Sequence, residues 1–198
     1  MSLRLSGGRR LQSPAGSTAR PTPSRVRLAV MNMLQAELPG CSWLDLCCGS
    51  GVMACEAIMR GASRVVAVDQ DRRIALTARQ NLDLVANSRT PAPRLMVVQQ
   101  EVVRWLRQGR QAAALDDETL DSGGFNLIYA DPPYAAGLYA PLLESLAAGD
   151  WVRGDGRVLL ECATAAIPDL PAGWRLQRER RYGSTTVLLV DKADRSEG

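Results

Sequence analysis

A carboxylate, two prolines and an aromatic ring follow the apolar run "FNLI" in the stretch "YADPPY", residues 129–134. The Asp131 side chain and the Pro132 carbonyl are two acceptors that suit the two N–H groups of an exocyclic amine on a planar base. Because Pro132 and Pro133 fix φ and lack an N–H, this geometry is set before the base binds. Tyr134 can stack on the face of the base. The pattern predicts catalysis by positioning and electrostatics rather than by a strong base.

The structural alternative for this stretch is a Pro-Pro strand terminus with Asp131 as a turn former. The sequence contains no histidine, which excludes Ser-His-Asp and Cys-His catalysis. Any acid–base work therefore falls to carboxylates, tyrosine or the backbone.

A second group of candidate residues lies around "LDLCCGSG", which closes an apolar run ending in glycines. Gly49 and Gly51 let the backbone approach a ligand, and amides at the start of the next helix would face that ligand. Asp69 ends the following apolar run, where its carboxylate can accept two hydrogen bonds from a ribose diol. These features predict a nucleoside-containing cofactor.

The glycine spacing and Asp69 also fit the dinucleotide fingerprint, so a nicotinamide enzyme is an alternative. Asp45 argues against it, because a carboxylate there suits a cationic amine, such as the amino-acid end of S-adenosylmethionine (SAM), and suits pyrophosphate poorly. The chemistry of a dehydrogenase also has no obvious role for the Asp-Pro-Pro-Tyr stretch that begins at Asp131. We therefore expect SAM, against the structural alternative that Gly49 and Gly51 only make a tight turn and Asp69 only caps a helix.

Further cofactor contacts are predicted beside these residues. Glu101 ends the third predicted strand, where it can contact the adenine or its ribose. It can also cap the helix that follows, and both roles can hold together. We add Ser50, Gln70 and Val102 to the predicted cofactor contacts because they adjoin the residues already named.

Helices and strands alternate along the chain, which predicts a doubly wound Rossmann-like α/β fold with a mostly parallel sheet and an antiparallel C-terminal strand pair. Helices are predicted within 22–40, 52–61, 70–87, 101–109 and 137–149, and strands within 41–48, 63–69, 93–100, 125–130 and 156–163. Residues 173–191 predict two further strands joined near Tyr182 and Gly183. Thr22 is the expected cap of the first helix. Ligands bind such sheets beyond the carboxyl ends of strands, where the candidate residues cluster.

The apolar face of the third predicted helix is expected to include Ile74, Leu76, Ala78, Leu82 and Val85. The length of 198 residues and the hydrophobic share of 46% fit one domain at 23–198 after a basic arm or hairpin at 1–22. No apolar run approaches the roughly 18 residues of a membrane span. Five irregularly spaced cysteines without a C-x-x-C predict buried thiols in a reducing cytoplasm, no disulfides and no metal site.

The positive charge of the chain is uneven, since its first 36 residues hold six arginines and no acid. A second basic cluster contains Arg175, Arg178, Arg180 and Arg181. Arginine suits phosphate and base recognition through its planar fork, although genome composition can also favour it.

Together these residues resemble the SAM-dependent class I amino-methyltransferases, whose motif is Asp/Asn-Pro-Pro-Tyr/Phe. The N-terminal "RLSGG" and "RPTPSRVRLAVMNML" narrow the resemblance to RsmD-type enzymes. "GSGVMACEAIMRGASRVVAVDQD" and "RERRYGSTTVLLV" are similar to the loop, helix and closing strands of that family. The likeness covers nearly the whole chain in the same order.

The resemblance implies methylation of the N2 amine of a guanine in 16S ribosomal RNA, on the RNA or on a small-subunit assembly intermediate, in the cytoplasm. It implies cofactor contacts at Gly49, Gly51 and Asp69 and a target-amine site at 131–134. The expected phosphate contacts are Arg10, Arg20, Arg25, Arg27 and Arg181. The alternatives are another amine, such as adenine N6 or a protein glutamine, and a non-enzymatic RNA-binding protein.

Overall fold

The computed structural model describes residues 3–14, 22–112, 124–133 and 137–193. The chain divides into two compact units, Met1–Gln100 and Glu101–Gly198. The predicted boundary at residue 22 and the single domain at 23–198 stay predictions.

The first unit begins with a short antiparallel hairpin, residues 3–14, which we call the N-terminal hairpin. Arg4 and Arg10 pair across it, and Leu3, Leu5 and Leu11 are buried. Residues 3–14 therefore fold back on themselves and pack through these three leucines.

Helix α1, Ser24–Met33, follows the N-terminal hairpin in the chain. Its N-cap is Pro23, and no side chain caps it. The predicted cap at Thr22 is therefore wrong by one position, because the proline takes the non-helical flanking place and its ring leaves no N–H there to satisfy.

Three parallel strands in the order β3-β2-β1 form the sheet of the first unit. They are β1 (Ser42–Leu46), β2 (Arg64–Asp69) and β3 (Arg94–Gln99), and the helices between them are α2 (Val52–Met59) and α3 (Arg72–Ala86). Every residue of β1 is buried, including the polar Ser42 and Asp45. In helix α3 the predicted face is corrected at one position, since Leu76 is 59% exposed while Ala75 is buried.

The second unit contains the remaining elements. They are helices α4 (Val102–Leu106), α5 (Gly109–Ala112) and α6 (Tyr139–Ala148), and strands β4 (Phe125–Ala130), β5 (Val152–Ala163), β6 (Trp174–Tyr182) and β7 (Thr185–Lys192). Strand β4 pairs with β5 in parallel, whereas β7 is antiparallel to both β5 and β6.

The described residues thus form seven strands that are mostly parallel and close with an antiparallel pair. This arrangement confirms the predicted α/β class. No helix among the described residues is both long and apolar enough to cross a lipid bilayer.

Candidate active site

The glycine loop, residues 47–51, turns the chain from the end of β1 into helix α2. Gly49 and Gly51 have φ of 55° and 72°, and Gly51 is the N-cap of α2. Cys47 also has a positive φ of 58°, an uncommon conformation for a residue with a Cβ. The positive φ values at Gly49 and Gly51 are the conformations that the glycines predicted.

The two glycines of the loop face different surroundings. A Cβ on Gly51 would lie 2.6 Å from the Leu82 side chain, whereas a Cβ on Gly49 would meet nothing within 4 Å. Gly51 therefore packs tightly against α3. The space beside Gly49 is open and can admit a ligand close to the backbone.

Asp69, at the end of β2, lies beside the glycine loop. Its Oδ2 accepts a hydrogen bond from the Gly49 amide at 3.0 Å, and its Oδ1 accepts one from the Asp71 amide at 3.0 Å. Burial raises the pKa of Asp69 above its ordinary value, while these amide hydrogen bonds act in the opposite direction. An acceptor thus stands next to the open space at Gly49, where a ribose diol would find a partner.

Asp45 lies in strand β1, just before the glycine loop, and is only 1% exposed. Its Oδ2 accepts a hydrogen bond from the Ala54 amide in the first turn of α2, at 3.0 Å. The carboxylate therefore satisfies one helix N-terminal donor and complements the helix dipole. Its predicted contact with a cofactor amine stays a prediction.

The predicted contacts at Ser50 and Gln70 also have partners within the protein. The Ser50 carbonyl accepts a hydrogen bond from the Asn81 side chain at 2.9 Å. The Gln70 carbonyl accepts one from the Gln99 side chain at 2.9 Å. Both contacts are made through the backbone, so both side chains keep their predicted cofactor role as a prediction.

In the second unit, Glu101 is the N-cap of helix α4. Its carboxylate accepts hydrogen bonds from the amides of Val103 at 2.9 Å and Arg104 at 2.7 Å. The capping alternative for Glu101 is confirmed. Val102, the first residue of the helix, is buried, and a cofactor contact at either residue stays a prediction.

Residues 131–133 follow the carboxyl end of strand β4, where the sequence predicted the target-amine site. Asp131 is half-buried, Pro132 is buried and Pro133 is exposed. Tyr134 and Arg20, both predicted site residues, lie outside the described residues. The half-buried Asp131 therefore follows directly after a strand that is paired with β5 up to Ala130.

A buried pair holds the end of β4, and the sequence reasoning missed it. The Tyr129 hydroxyl donates a hydrogen bond to the Glu161 carboxylate, and the Tyr139 hydroxyl donates one to the Glu161 carbonyl at 2.8 Å. Burial raises the pKa of Glu161, and the hydrogen bond from Tyr129 opposes this shift. The only sequence signal for this pair is an acid inside the apolar run "VLLECA".

The cysteines carry no disulfide in the structure, since all five are free. Burial, together with the nearby carboxylates of Glu179, Glu161 and Asp131, raises the pKa of the Cys162 thiol to about 11. Cys162 is therefore a neutral thiol rather than a nucleophile. Within the described residues, no cluster of three or more acids and cysteines could hold a metal ion.

Four of the five predicted RNA-binding arginines lie in described segments, and three of them are exposed: Arg10, Arg25 and Arg181. Arg27 is the exception, being only 5% exposed. Its guanidinium donates to the Arg4 carbonyl at 2.6 Å and to the Thr22 carbonyl at 2.9 Å. Burial and these two bonds disfavour the predicted contact of Arg27 with RNA, and the salt dependence of RNA binding tests it.

A family model described as "Conserved hypothetical protein 95" matches residues 5–191 of this chain. The chain is 26% identical to "Ribosomal RNA small subunit methyltransferase D" of Escherichia coli over 96% of its own length and 88% of that protein. It is 29% identical to "Putative rRNA methyltransferase YlbH" of Bacillus subtilis over 93% and 94% of the two chains.

The structure also resembles a solved structure, "Putative methyltransferase yhhF from Escherichia coli", with a TM-score of 0.79 and 24% identity. The match covers 98% of this chain and 100% of the other. This likeness supports the predicted fold of the class I methyltransferases.

Proposed function

We propose that this chain transfers a methyl group from SAM to the N2 amine of a guanine in 16S ribosomal RNA. The chain belongs to the RsmD-type family, whose model is described as "Conserved hypothetical protein 95". The observation that carries the proposal is the half-buried Asp131, which begins the Asp-Pro-Pro stretch directly after the buried end of strand β4. Relatives named as methyltransferases of small-subunit ribosomal RNA support the class of substrate.

The residues of the glycine loop fit the proposed cofactor, which supplies a methyl group on a positively charged sulfur. The open space at Gly49 admits the cofactor close to the backbone. In this proposal the Asp69 carboxylate would accept hydrogen bonds from the ribose hydroxyls, and the Asp45 carboxylate would bind the amino group. The remaining contacts in this proposal are Ser50, Gly51, Gln70, Glu101 and Val102.

Residues 131–134 act on the target amine. The nitrogen lone pair of such an amine is delocalised into the ring, so the amine is a poor nucleophile. The Asp131 carboxylate and the Pro132 carbonyl each accept one of its N–H groups, which favours a pyramidal nitrogen. Asp131 then stabilises the positive charge that develops on the nitrogen and accepts the departing proton, while Tyr134 stacks on the base.

The substrate is recognised through its phosphates and through an unstacked base. The exposed Arg10, Arg25 and Arg181 neutralise phosphates, together with Arg20. The guanine is turned out of its stack to reach Asp131. We propose that this occurs in the cytoplasm, on free 16S ribosomal RNA or on an assembling small subunit.

The test is incubation with SAM carrying a labelled methyl group and either free 16S ribosomal RNA or small ribosomal subunits, followed by digestion to nucleosides. Labelled N2-methylguanosine supports the proposal. Labelled N6-methyladenosine or methylated protein glutamine would identify a different amine as the target. Binding of RNA without any transfer would indicate a non-enzymatic RNA-binding protein.

The matched variant is Asp131→Leu, because the family motif itself admits Asn at this position. Leucine keeps about the size of the side chain but removes both acceptor oxygens. Transfer should fall at least a hundredfold, as expected for loss of an acceptor that positions the amine and stabilises the transition state, while SAM binding persists. Equal transfer by this variant would refute the role of Asp131.

A further inference from the structure

Asn81 is a fully buried amide in the interior of helix α3, with an exposure of 0%. Its nitrogen donates to the Gln12 carbonyl at 3.0 Å and to the Ser50 carbonyl at 2.9 Å. Its oxygen accepts from the Gln12 amide at 2.8 Å. One side chain thus joins the N-terminal hairpin, at Gln12, to the glycine loop, at Ser50.

These contacts use both donors and the oxygen of the amide. Asparagine is unfavourable inside a helix, and a buried amide costs free energy unless it is hydrogen-bonded. An apolar residue at position 81 would leave the Gln12 amide and the Ser50 carbonyl without this partner. The position therefore requires a side chain with both a donor and an acceptor.

A second buried polar residue connects the same elements. Glu56 lies on helix α2, which begins directly after the glycine loop, and it is 1% exposed. Its carboxylate accepts hydrogen bonds from the Ser6 amide and the Ser6 hydroxyl, both at 2.8 Å. It also forms salt bridges with Arg60 and Arg27. The two helices that flank the glycine loop therefore each bind the N-terminal hairpin through a buried side chain.

We propose that Asn81 is a positioning residue that couples the N-terminal hairpin to the cofactor, by holding the backbone of the glycine loop at Ser50. The inference rests on the proposed function, because it takes the glycine loop to be the SAM site. Binding of SAM should reduce the motion of the glycine loop. The hydrogen bond from Asn81 to Ser50 then reduces the motion of Asn81. The bonds between Asn81 and Gln12 do the same for the hairpin.

The coupling has a consequence for the RNA. Arg10, an exposed phosphate contact in our proposal, lies two residues before Gln12 on the same hairpin. RNA held there orders the hairpin, and the same bonds then order the glycine loop. Because linkage is reciprocal, RNA should tighten SAM binding by the same factor by which SAM tightens RNA binding.

Asn81→Asp tests the coupling with little change in side-chain shape. The carboxylate keeps the acceptor for the Gln12 amide but cannot donate to the carbonyls of Gln12 and Ser50. We expect SAM affinity by calorimetry to fall about tenfold, within the usual range of coupling between sites. We also expect RNA to lose its effect on SAM affinity. Gln80→Glu is the matched control, since it makes the same amide-to-acid change at an exposed position on the same helix.

Hydrogen exchange of the unaltered protein provides a test that does not depend on the stability of a variant. Adding SAM should slow exchange at the hairpin amides of Leu5, Leu11 and Gln12 as well as in the glycine loop. SAM binding that protects the loop but leaves these amides unchanged would overturn the coupling and leave the proposed function intact. No binding of SAM to the unaltered protein would refute the proposed function itself.

Discussion

Replacing each glycine of the loop by alanine separates the cost of backbone conformation from the cost of lost space. Gly49 and Gly51 both have positive φ, 55° and 72°, so an alanine at either position is disfavoured by about 1 kcal/mol. Alanine also gives the unfolded chain less conformational freedom than glycine does, and this stabilising effect offsets about 0.5 kcal/mol of the cost. Backbone terms alone therefore predict a similar, small loss of stability for both variants.

Packing makes the two variants different. In Gly51→Ala the new Cβ would lie 2.6 Å from Leu82, which is itself fully buried. Overpacking of this kind costs about 1–3 kcal/mol, so the total loss should be roughly 1.5–3.5 kcal/mol. In Gly49→Ala the Cβ meets nothing within 4 Å, so the free energy of unfolding should fall by roughly 0.5 kcal/mol.

The order should reverse for the cofactor. The open space at Gly49 is the space that we assign to SAM, so Gly49→Ala should weaken SAM binding at least tenfold, or about 1.4 kcal/mol. Urea denaturation gives the stability of both variants, and calorimetry gives their SAM affinity. Equal stability losses would refute the packing argument. Unchanged SAM affinity in Gly49→Ala would refute the placement of the cofactor.

Three further predictions concern charged residues. Asp131→Ala should retain SAM affinity by calorimetry and lose methyl transfer to RNA; cofactor loss with surviving transfer would contradict its role. Burial raises the pKa of Asp69, and ribose hydroxyls donate to its carboxylate only when it is ionised. SAM affinity should therefore increase as pH rises through that pKa. The SAM affinity of Asp69→Asn, measured over the same pH range, should lack this increase. Arg25→Ala should lower the magnitude of the slope of log RNA affinity against log salt concentration by about 0.7–0.9. Arg27→Ala should leave this slope unchanged. It should instead lower the free energy of unfolding by on the order of 3 kcal/mol, measured by thermal melting.

Most of the secondary structure could be predicted because local patterns specify it. Apolar runs predicted the buried parallel strands, and glycines marked the turns that follow them. The helix period failed at Leu76, which is exposed although it is apolar. Which residues of a helix are buried depends on where the neighbouring elements lie, and a single sequence does not contain that information.

The site could be predicted only where the chain itself carries an unusual pattern. The glycines and the Asp-Pro-Pro stretch are such patterns, and both follow strand ends as expected. Asn81, Glu56 and Glu161 carry no such signal, because each is an ordinary polar residue whose importance comes from burial and from partners distant in sequence. Asn81 and Gln12 are 69 positions apart, and only the fold brings them together.

The contrast between Arg25 and Arg27 shows how far charge alone can be interpreted. In a helix, residues two positions apart lie on nearly opposite faces. Arg27 falls on the stripe of helix α1 that also contains the buried Val26, Val30 and Met31, while Arg25 is exposed. Some of the positive charge near the N-terminus therefore balances the buried Glu56 instead of facing solvent. The net charge of that segment consequently overstates the charge available to phosphates, and exposed arginines are the ones whose removal should change the salt dependence of RNA binding.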